Sequence, residues 1–465
     1  MPATQDYRSL FVGLDVQTPL LNGACRCYTN FDNAASTPPL KAVQKSVDDF
    51  LVYYSSVHRG TGFKSQLSTH AYERARHIAL HFVGANPHEH TCIFGKNTTE
   101  AVNKLARRFP FDAQRNVVLT TGMEHHSNDL PWRAVARTVH VGLTPDGRLD
   151  ESDFDAQLEK YNESVALVAV TGASNVTGFL NPVHRLAAKA HAVGAMILVD
   201  CAQLAPHRKV DMRPLDDPEH FDFITISAHK MYAPFGTGAL IGRTDVFTHG
   251  EPDMTGGGTV EIVTLDDVVW TAPPDRDEAG SPNTVGAVAL AAAMRQLEEV
   301  GMDKVAQHEA ELTEYALQHL PKVPGLRIFG DPDPQHAAQR LGVIPLMLES
   351  TPHFLAAAVL GYEFGIGVRS GCFCAHPYIL HLLGLSPEEA RQVRATMLSG
   401  DKSSMPGLIR ASFGLYNSIE EVDYLIDALT HIARGEYRGQ YTQERLTGEY
   451  KPLNWTAKFE EYFKL

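Results

Sequence analysis

Between residues 90 and 245 short apolar runs alternate with segments of helical period: TCIF, then TTEAVNKLARRF; NVVLTT, then SNDLPWRAVAR; VALVAV, then PVHRLAAKAHAVG; then MILVD, FDFITIS and GALIGR. Runs this apolar read as strands buried on both faces, and the intervening helices are what cover them. The pattern predicts a large, mostly parallel sheet with helices on both sides. In such sheets ligands sit beyond the carboxyl ends of the strands, so the polar residues that directly follow an apolar run become the candidates for chemistry.

The stretch 245–282 is rich in Gly, Pro, Asp and Thr and reads as irregular loop. From Thr284 two long helical patterns lead away from the sheet, and the short apolar runs LRIF, LGVIPLML and GIGVRS predict a second, smaller α+β domain. The expected division is a large domain over 31–285, a small one from 1–30 and 286–435, and a polar, aromatic extension over 436–465, serving as a surface extension or a wrap for a neighbour. Ser386 with Glu389 and Ser418 with Glu421 are capping boxes that start two helices of the second half.

With 41 basic against 55 acidic residues and a formal charge of -14, no basic surface dominates, so nucleic acid is not expected as a partner. The best apolar stretch, around 186–202, is interrupted by Lys189, His191 and Asp200 and falls short of the roughly 18 residues of a membrane span. The opening MPATQDYRSLFVGL carries no apolar leader, and a cytoplasmic enzyme is expected. Six cysteines are too few for a disulfide scaffold. Four form the pairs Cys25/Cys27 and Cys372/Cys374, but zinc sites space such ligands further apart, and no metal is expected.

The segment FDFITISAHKMYAPFGTG runs a strand pattern straight into Ser227, Ala228, His229 and Lys230. A lysine there stands where a ligand would, and desolvation lowers the pKa of its amine and frees it for Schiff-base chemistry; the plain alternative is a solvated surface lysine. Thirty residues earlier AMILVD ends in Asp200, followed by Cys201, Ala202 and Gln203. A carboxylate closing so apolar a strand needs a partner, for which a protonated pyridine nitrogen serves, although strand-end aspartates also cap helices. Asn97 and Glu100 stand at capping-box spacing, and the helix start with the Thr98 and Thr99 hydroxyls suits a phosphate or simple capping. Gly236, Gly238 and Gly242 do not form a GxGxxG leading into a helix, so a dinucleotide reading fails.

SAHK with Lys230, VDCAQ with Asp200 and Gln203, EHHSNDLPW with His125, TGASNVTG with Asn175, NTTEA with Thr98 and Thr99, EAGSPNT with Ser281, FDNAAST and VHRG stand in one consistent order. Together they resemble the pyridoxal-phosphate enzymes of the class V aminotransferase fold, from about residue 28 to 433. Within these the chain is most similar to the cysteine desulfurase/selenocysteine lyase branch. The resemblance implies the type I fold of pyridoxal-phosphate enzymes, with a seven-stranded sheet in the large domain. It implies that Lys230 binds the cofactor, Asp200 keeps the pyridine nitrogen protonated, His125 stacks on the ring, and Asn175 and Gln203 bond the phenolic oxygen. Thr98, Thr99, Ser227 and His229 are implied around the phosphate, and Ser281 on the phosphate of a neighbouring subunit, hence a homodimer with shared sites.

Arg410, in LIRASFGLYNS, matches the family's substrate-carboxylate arginine, with Asn175 beside the substrate. Cys374, in RSGCFCAHP, falls where these desulfurases carry their nucleophile. The implied reaction leaves alanine and a persulfide on Cys374, with Lys230 as base, Arg369 or a protonated His376 favouring the thiolate, and a sulfur-acceptor protein as a further partner. The alternatives are a carbon–sulfur or carbon–selenium lyase, or another activity of the fold that does not need Cys374, and a non-catalytic binding scaffold. Three departures stand out: Cys372 in place of a histidine, the C-terminal extension, and 32 residues between Pro377 and Arg410 whose helix at 387–398 is expected to cap or reshape the entrance.

Overall fold

The structure, a computed structural model, describes residues 7–58 and 60–465. Residues 1–6, part of the opening stretch, and Arg59 of the VHRG motif lie outside the described residues. Seven strands, β1 His90–Gly95, β2 Val117–Thr121, β3 Arg137–Val141, β4 Val165–Thr171, β5 Met196–Asp200, β6 Phe223–Ser227 and β7 Gly238–Arg243, form one sheet in the order β1-β7-β6-β5-β4-β2-β3. β2 to β6 pair in parallel, and β7 alone is reversed against both its neighbours. This is the mostly parallel sheet that the alternating pattern predicts, with the seven strands that the resemblance implies; the pattern passes over β3.

Every residue of β2, β4 and β6 is buried, as the unbroken apolar runs require. Alternate side chains of β4 go to opposite cores. Val168 and Val170 join Val43, Ala79 and Leu290, from helices α1 Lys41–Leu51, α2 Phe63–Phe82 and α5 Thr284–Val300. Leu167 and Ala169 join Val102 and Leu105, from α3 Thr98–Arg108. Each such side chain contributes about 1.5–3 kcal/mol, so covering both faces is what holds the sheet. Helix α4, Val183–Ala192, packs on β5.

A second core surrounds a smaller antiparallel sheet of β8 Leu326–Ile328, β9 Val343–Leu348, β10 Arg369–Gly371 and β11 Leu408–Ser412, in the order β8-β9-β11-β10. Helices α6 Met302–His319, α7 His353–Phe364 and α9 Ile419–Ala433 bury Leu312, Val359 and Leu425 there, and Phe31 from the amino side of the chain joins them. Both capping boxes form, Ser386 at the start of α8 Pro387–Leu398 and Ser418 at the start of α9.

Two elements depart from the expected pattern. Residues 260–270, expected as loop, form a short hairpin of Val260–Val263 with Val268–Trp270; it is mostly exposed, so no buried face writes a period into its sequence. In the extension, Tyr441–Gln443 pairs with Tyr450–Pro452 and is tied to its own chain. The Glu363 carboxylate accepts from the amides of Arg438 and Gly439 and from the Tyr441 hydroxyl, all at 2.9 Å. Among the described residues no helix is long and apolar enough to cross a membrane.

Candidate active site

β5 and β6 end side by side, and the residues that follow them open onto a cavity of about 470 Å³ between the two sheets. Asp200, Gln203, Ser227, His229 and Lys230 line it from the strand ends, and Thr98 and Thr99 from the start of α3. Gly238, opposite Ser227 in β7, lets that helix begin so close, since a Cβ there would sit 2.5 Å from the Cα of Asn97. The Thr98 amide donates to Ser227 Oγ at 2.9 Å, that hydroxyl donates to Thr98 Oγ1 at 3.0 Å, and Thr99 Oγ1 lies 2.7 Å from Ser127 Oγ. Asn97 caps the helix by accepting from the Glu100 amide at 3.0 Å, while the Glu100 carboxylate accepts from Lys96 and not from Asn97, so only half of a capping box forms. Hydroxyls gathered at the positive end of a helix make an anion-binding corner.

Lys230 is half-buried, and desolvation draws its amine down to about 8, outweighing the attraction of Asp200. Asp200 is itself pushed up by burial, against the Ala202 amide that donates to its Oδ1 at 2.9 Å. His125 accepts from the Ser127 amide at Nδ1, 3.1 Å away, and burial together with Lys230 lowers it to about 3, so the ring is neutral. Asn175 and Gln203 line the same cavity, but their amide nitrogens donate within the chain, to Phe373 O at 2.8 Å and Ala34 O at 2.7 Å.

The opposite wall comes from the small sheet. Arg410 of β11 stands directly across from Arg369 of β10, a like-charge pair that is unfavourable without a counter-ion. Asp32 supplies it, with Oδ1 3.1 Å from Arg410 and Oδ2 3.0 Å from Arg369. Burial lowers Arg410 to about 10, so it stays cationic at neutral pH; one of its nitrogens donates to Asn175 O at 2.9 Å, and its Nε is buried without a partner among the described residues. An orphaned donor beside a fork-shaped cation is a place for a carboxylate.

Cys374 lines the cavity as the exposed residue of an otherwise buried turn, in which Phe373 and Cys374 both adopt left-handed backbone, with φ of 50° and 55°, a conformation that non-glycine residues hold at a cost. The His126 amide secures that loop by donating to Cys374 O at 2.8 Å. The expectation that a protonated His376 favours the thiolate is corrected: its ring is half-buried, stacked on His126 with centroids 4.9 Å apart, and burial lowers its pKa, which leaves it neutral. Cys372 is buried, donates its thiol to Pro406 O at 3.1 Å and is pushed up to about 12, which keeps it protonated.

One cavity thus gathers the residues expected around cofactor and substrate except Ser281, which lines a separate cavity with Thr237 and Asn283; Cys372 and His376 do not line it either. Helix α8 does not cap the entrance: none of its residues is buried and none lines the cavity, because it lies along the outside. Sequence reasoning passes over Asp32 and Glu124. Glu124, behind His125, is fully buried, accepts from Thr121 Oγ1 at 2.7 Å, the Thr171 amide at 2.9 Å and Asn128 Nδ2 at 2.8 Å, and is nonetheless lifted by burial to about 8. Its only sequence signal is its place beside His125. The donor set fits pyridoxal phosphate: a desolvated amine of reduced basicity, a buried carboxyl, a neutral imidazole and a corner of hydroxyls.

A model of the class-V aminotransferases matches residues 29–425. The chain is 35% identical to a cysteine desulfurase of Haloferax volcanii, over 86% of this chain and 88% of that one. It is also 35% identical to a cysteine desulfurase of Dickeya dadantii, over 89% and 93%. Among solved structures, an apo cysteine desulfurase from Thermococcus onnurineus superposes with a TM-score of 0.76 at 32% identity, covering 88% of this chain and 95% of that one. A cysteine desulfurase from Escherichia coli in an S-sulfonic acid form gives 0.75 at 26% identity, covering 93% and 98%.

Proposed function

The chain belongs to the class-V aminotransferase family, and from that membership we propose that it is a pyridoxal-phosphate-dependent cysteine desulfurase. It takes sulfur from L-cysteine, or selenium from selenocysteine, leaves alanine and carries the sulfur as a persulfide on Cys374. The observation behind this reading is that an exposed thiol, a desolvated amine and a buried arginine line one cavity. Lys230 would hold the cofactor through Nζ, Asp200 would face its ring nitrogen, His125 its ring, and Asn175 and Gln203 its phenolic oxygen. Thr98, Thr99, Ser227 and His229 would hold its phosphate, with Ser281 reaching the phosphate of a second copy in a homodimer. Bound there, the cofactor would supply an electron sink for the substrate carbon next to the amino group.

The residues of the chain then have distinct tasks. Arg410 binds the substrate carboxylate in place of Asp32, which keeps Arg369. Lys230 Nζ, with its lowered basicity, takes the proton from the substrate Cα. Cys374 Sγ attacks the substrate sulfur as the nucleophile. A sulfur–sulfur bond forms and the carbon–sulfur bond breaks; the carbon keeps the bonding pair and, once protonated, becomes the methyl group of alanine. All six cysteines are free, which suits the reducing cytoplasm, where an acceptor protein would collect the sulfur.

Cys374→Ala is expected to lower sulfur release from cysteine by at least about 100-fold, with alanine formation falling in step. Full activity in that variant, or pyruvate in place of alanine, would sink the persulfide mechanism in favour of a lyase. Selenium release is expected to suffer less, since selenium leaves without a thiol.

A further inference from the structure

β5 and β6 carry the cofactor cavity at their carboxyl ends and a second cluster of reactive side chains at their amino ends. Asp222 immediately precedes β6, His220 lies two residues before it, and His191 is in the last turn of α4. The Asp222 side chain is 1% exposed, that of His220 9% and that of His191 19%. His191 Nε2 lies 3.0 Å from Asp222 Oδ2 and His220 Nε2 3.3 Å from Asp222 Oδ1. The two imidazoles are stacked, 4.1 Å between centroids and 16° between planes, so both present Nε2 to the same carboxylate.

His191 Nδ1 is 2.7 Å from Pro218 O, and His220 Nδ1 is 2.7 Å from Asp217 O. A carbonyl oxygen only accepts, so both Nδ1 atoms carry hydrogen, and in neutral rings both Nε2 atoms are lone pairs. Those lone pairs face an ionised carboxylate, which also only accepts. A proton on each ring also relieves the clash, and Asp222 raises His220 against its desolvation, but two imidazoliums would then stand face to face. A single divalent ion relieves it directly, because it accepts from both nitrogens and from the carboxylate.

The distances agree with such an ion. Tetrahedral zinc with bonds of about 2.0–2.1 Å separates neighbouring ligand atoms by roughly 3.3–3.4 Å; each nitrogen lies 3.0 or 3.3 Å from its own oxygen of the carboxylate, and one ligand atom from each of the three residues lies within 4.8 Å of the other two. A ring hydrogen donated to a main-chain carbonyl is also how metal-binding histidines are oriented. The carboxylate is fixed in turn, Oδ2 by the Ile197 amide at 2.8 Å and Oδ1 by Arg243 at 3.3 Å. Directly across from Arg243, on β1, His90 likewise points Nδ1 at a carbonyl, Asn86 O at 3.2 Å, and its buried Nε2 has no partner among the described residues.

We propose that His191, His220 and Asp222 form a structural site for one divalent ion of the zinc type, which clamps the end of α4 to the amino end of β6. The test uses the cofactor-loaded full chain without an affinity tag, with zinc as the probe. Wild-type chain is expected to retain one zinc per chain beyond that of a His191→Gln/His220→Gln variant, whose affinity in chelator competition drops by about 100-fold or more. The six thiols are common to both chains and cancel. X-ray absorption at the zinc edge is expected to show a nitrogen and oxygen shell without sulfur. Should the double variant not fold, His191→Gln alone, on a partly exposed helix position, makes the same comparison. Unchanged cysteine turnover shows that the fold is kept. A wild-type chain that holds no more zinc than the variants, or a sulfur shell around the metal, overturns the site.

Discussion

Lys230 follows β6 with its amine drawn down to about 8, so below that pH most of it is protonated and cannot attack an aldehyde. Capture of pyridoxal phosphate by the cofactor-free chain, followed by visible absorbance, is therefore expected to quicken as pH rises through about 8 and then level off. A rate that keeps climbing towards the ordinary lysine value of roughly 10.4 would mean the amine is not desolvated. Arg410 makes a second prediction. Its fork and its orphaned Nε meet a carboxylate in a way that a lysine's single ammonium cannot. Arg410→Lys is expected to raise KM for cysteine by about 10- to 100-fold with a smaller change in kcat, and steady-state kinetics on the loaded enzyme decide it. Cys372, beside the nucleophile in sequence, is a different group physically: buried and protonated, it is a packing residue with a donated hydrogen bond.

Two helices with the same capping box differ in what they hold. α9 buries Val422, Leu425 and Leu429, and its cap residue Glu421 also binds Arg8 at 2.6 Å, whereas α8 buries nothing. Ser418→Ala is expected to lower global stability by about 1 kcal/mol. Ser386→Ala is expected to leave the denaturation midpoint in place and only speed amide exchange within α8; equal shifts in the midpoint would contradict this. The same contrast governs what can be read in the sequence. β4, β5 and β6 are legible because burial on both faces leaves continuous apolar runs, and Asp200, Ser227 and Lys230 are legible because the runs of β5 and β6 stop at them. The edge strand β3 reads RTVHV and is half exposed, and the 260–270 hairpin is more exposed still, so neither carries a signal against its surroundings. Asp32 stands out within FDNAAST, but its partners Arg369 and Arg410 lie more than 300 residues away, and only the antiparallel pairing of β10 with β11 brings them together.

At the scale of the whole molecule the chain is strongly acidic, with a formal charge of -14, yet Lys230, Arg369 and Arg410 face one cavity with only Asp32 and Asp200 against them. Net charge describes the outer surface and leaves the pocket free to attract phosphate and carboxylate. Ser281, which lies apart from that pocket within one chain, predicts that two chains make the complete unit. Sedimentation is expected to show a two-chain species wherever cofactor is retained, with dilution to single chains releasing it; a single chain that keeps its cofactor would contradict this. The left-handed loop that lifts Cys374 to the rim separates the traffic of the proposed reaction. Arg410 is buried and Lys230 half-buried where they line the cavity, so the amino acid would enter from the open side and leave there as alanine. The sulfur enters with the cysteine but does not leave with alanine: it would stay on Cys374 Sγ, held by a bond of about 2.05 Å, at an exposed residue. The two products part at the moment they form, and an acceptor needs to touch only the doorway.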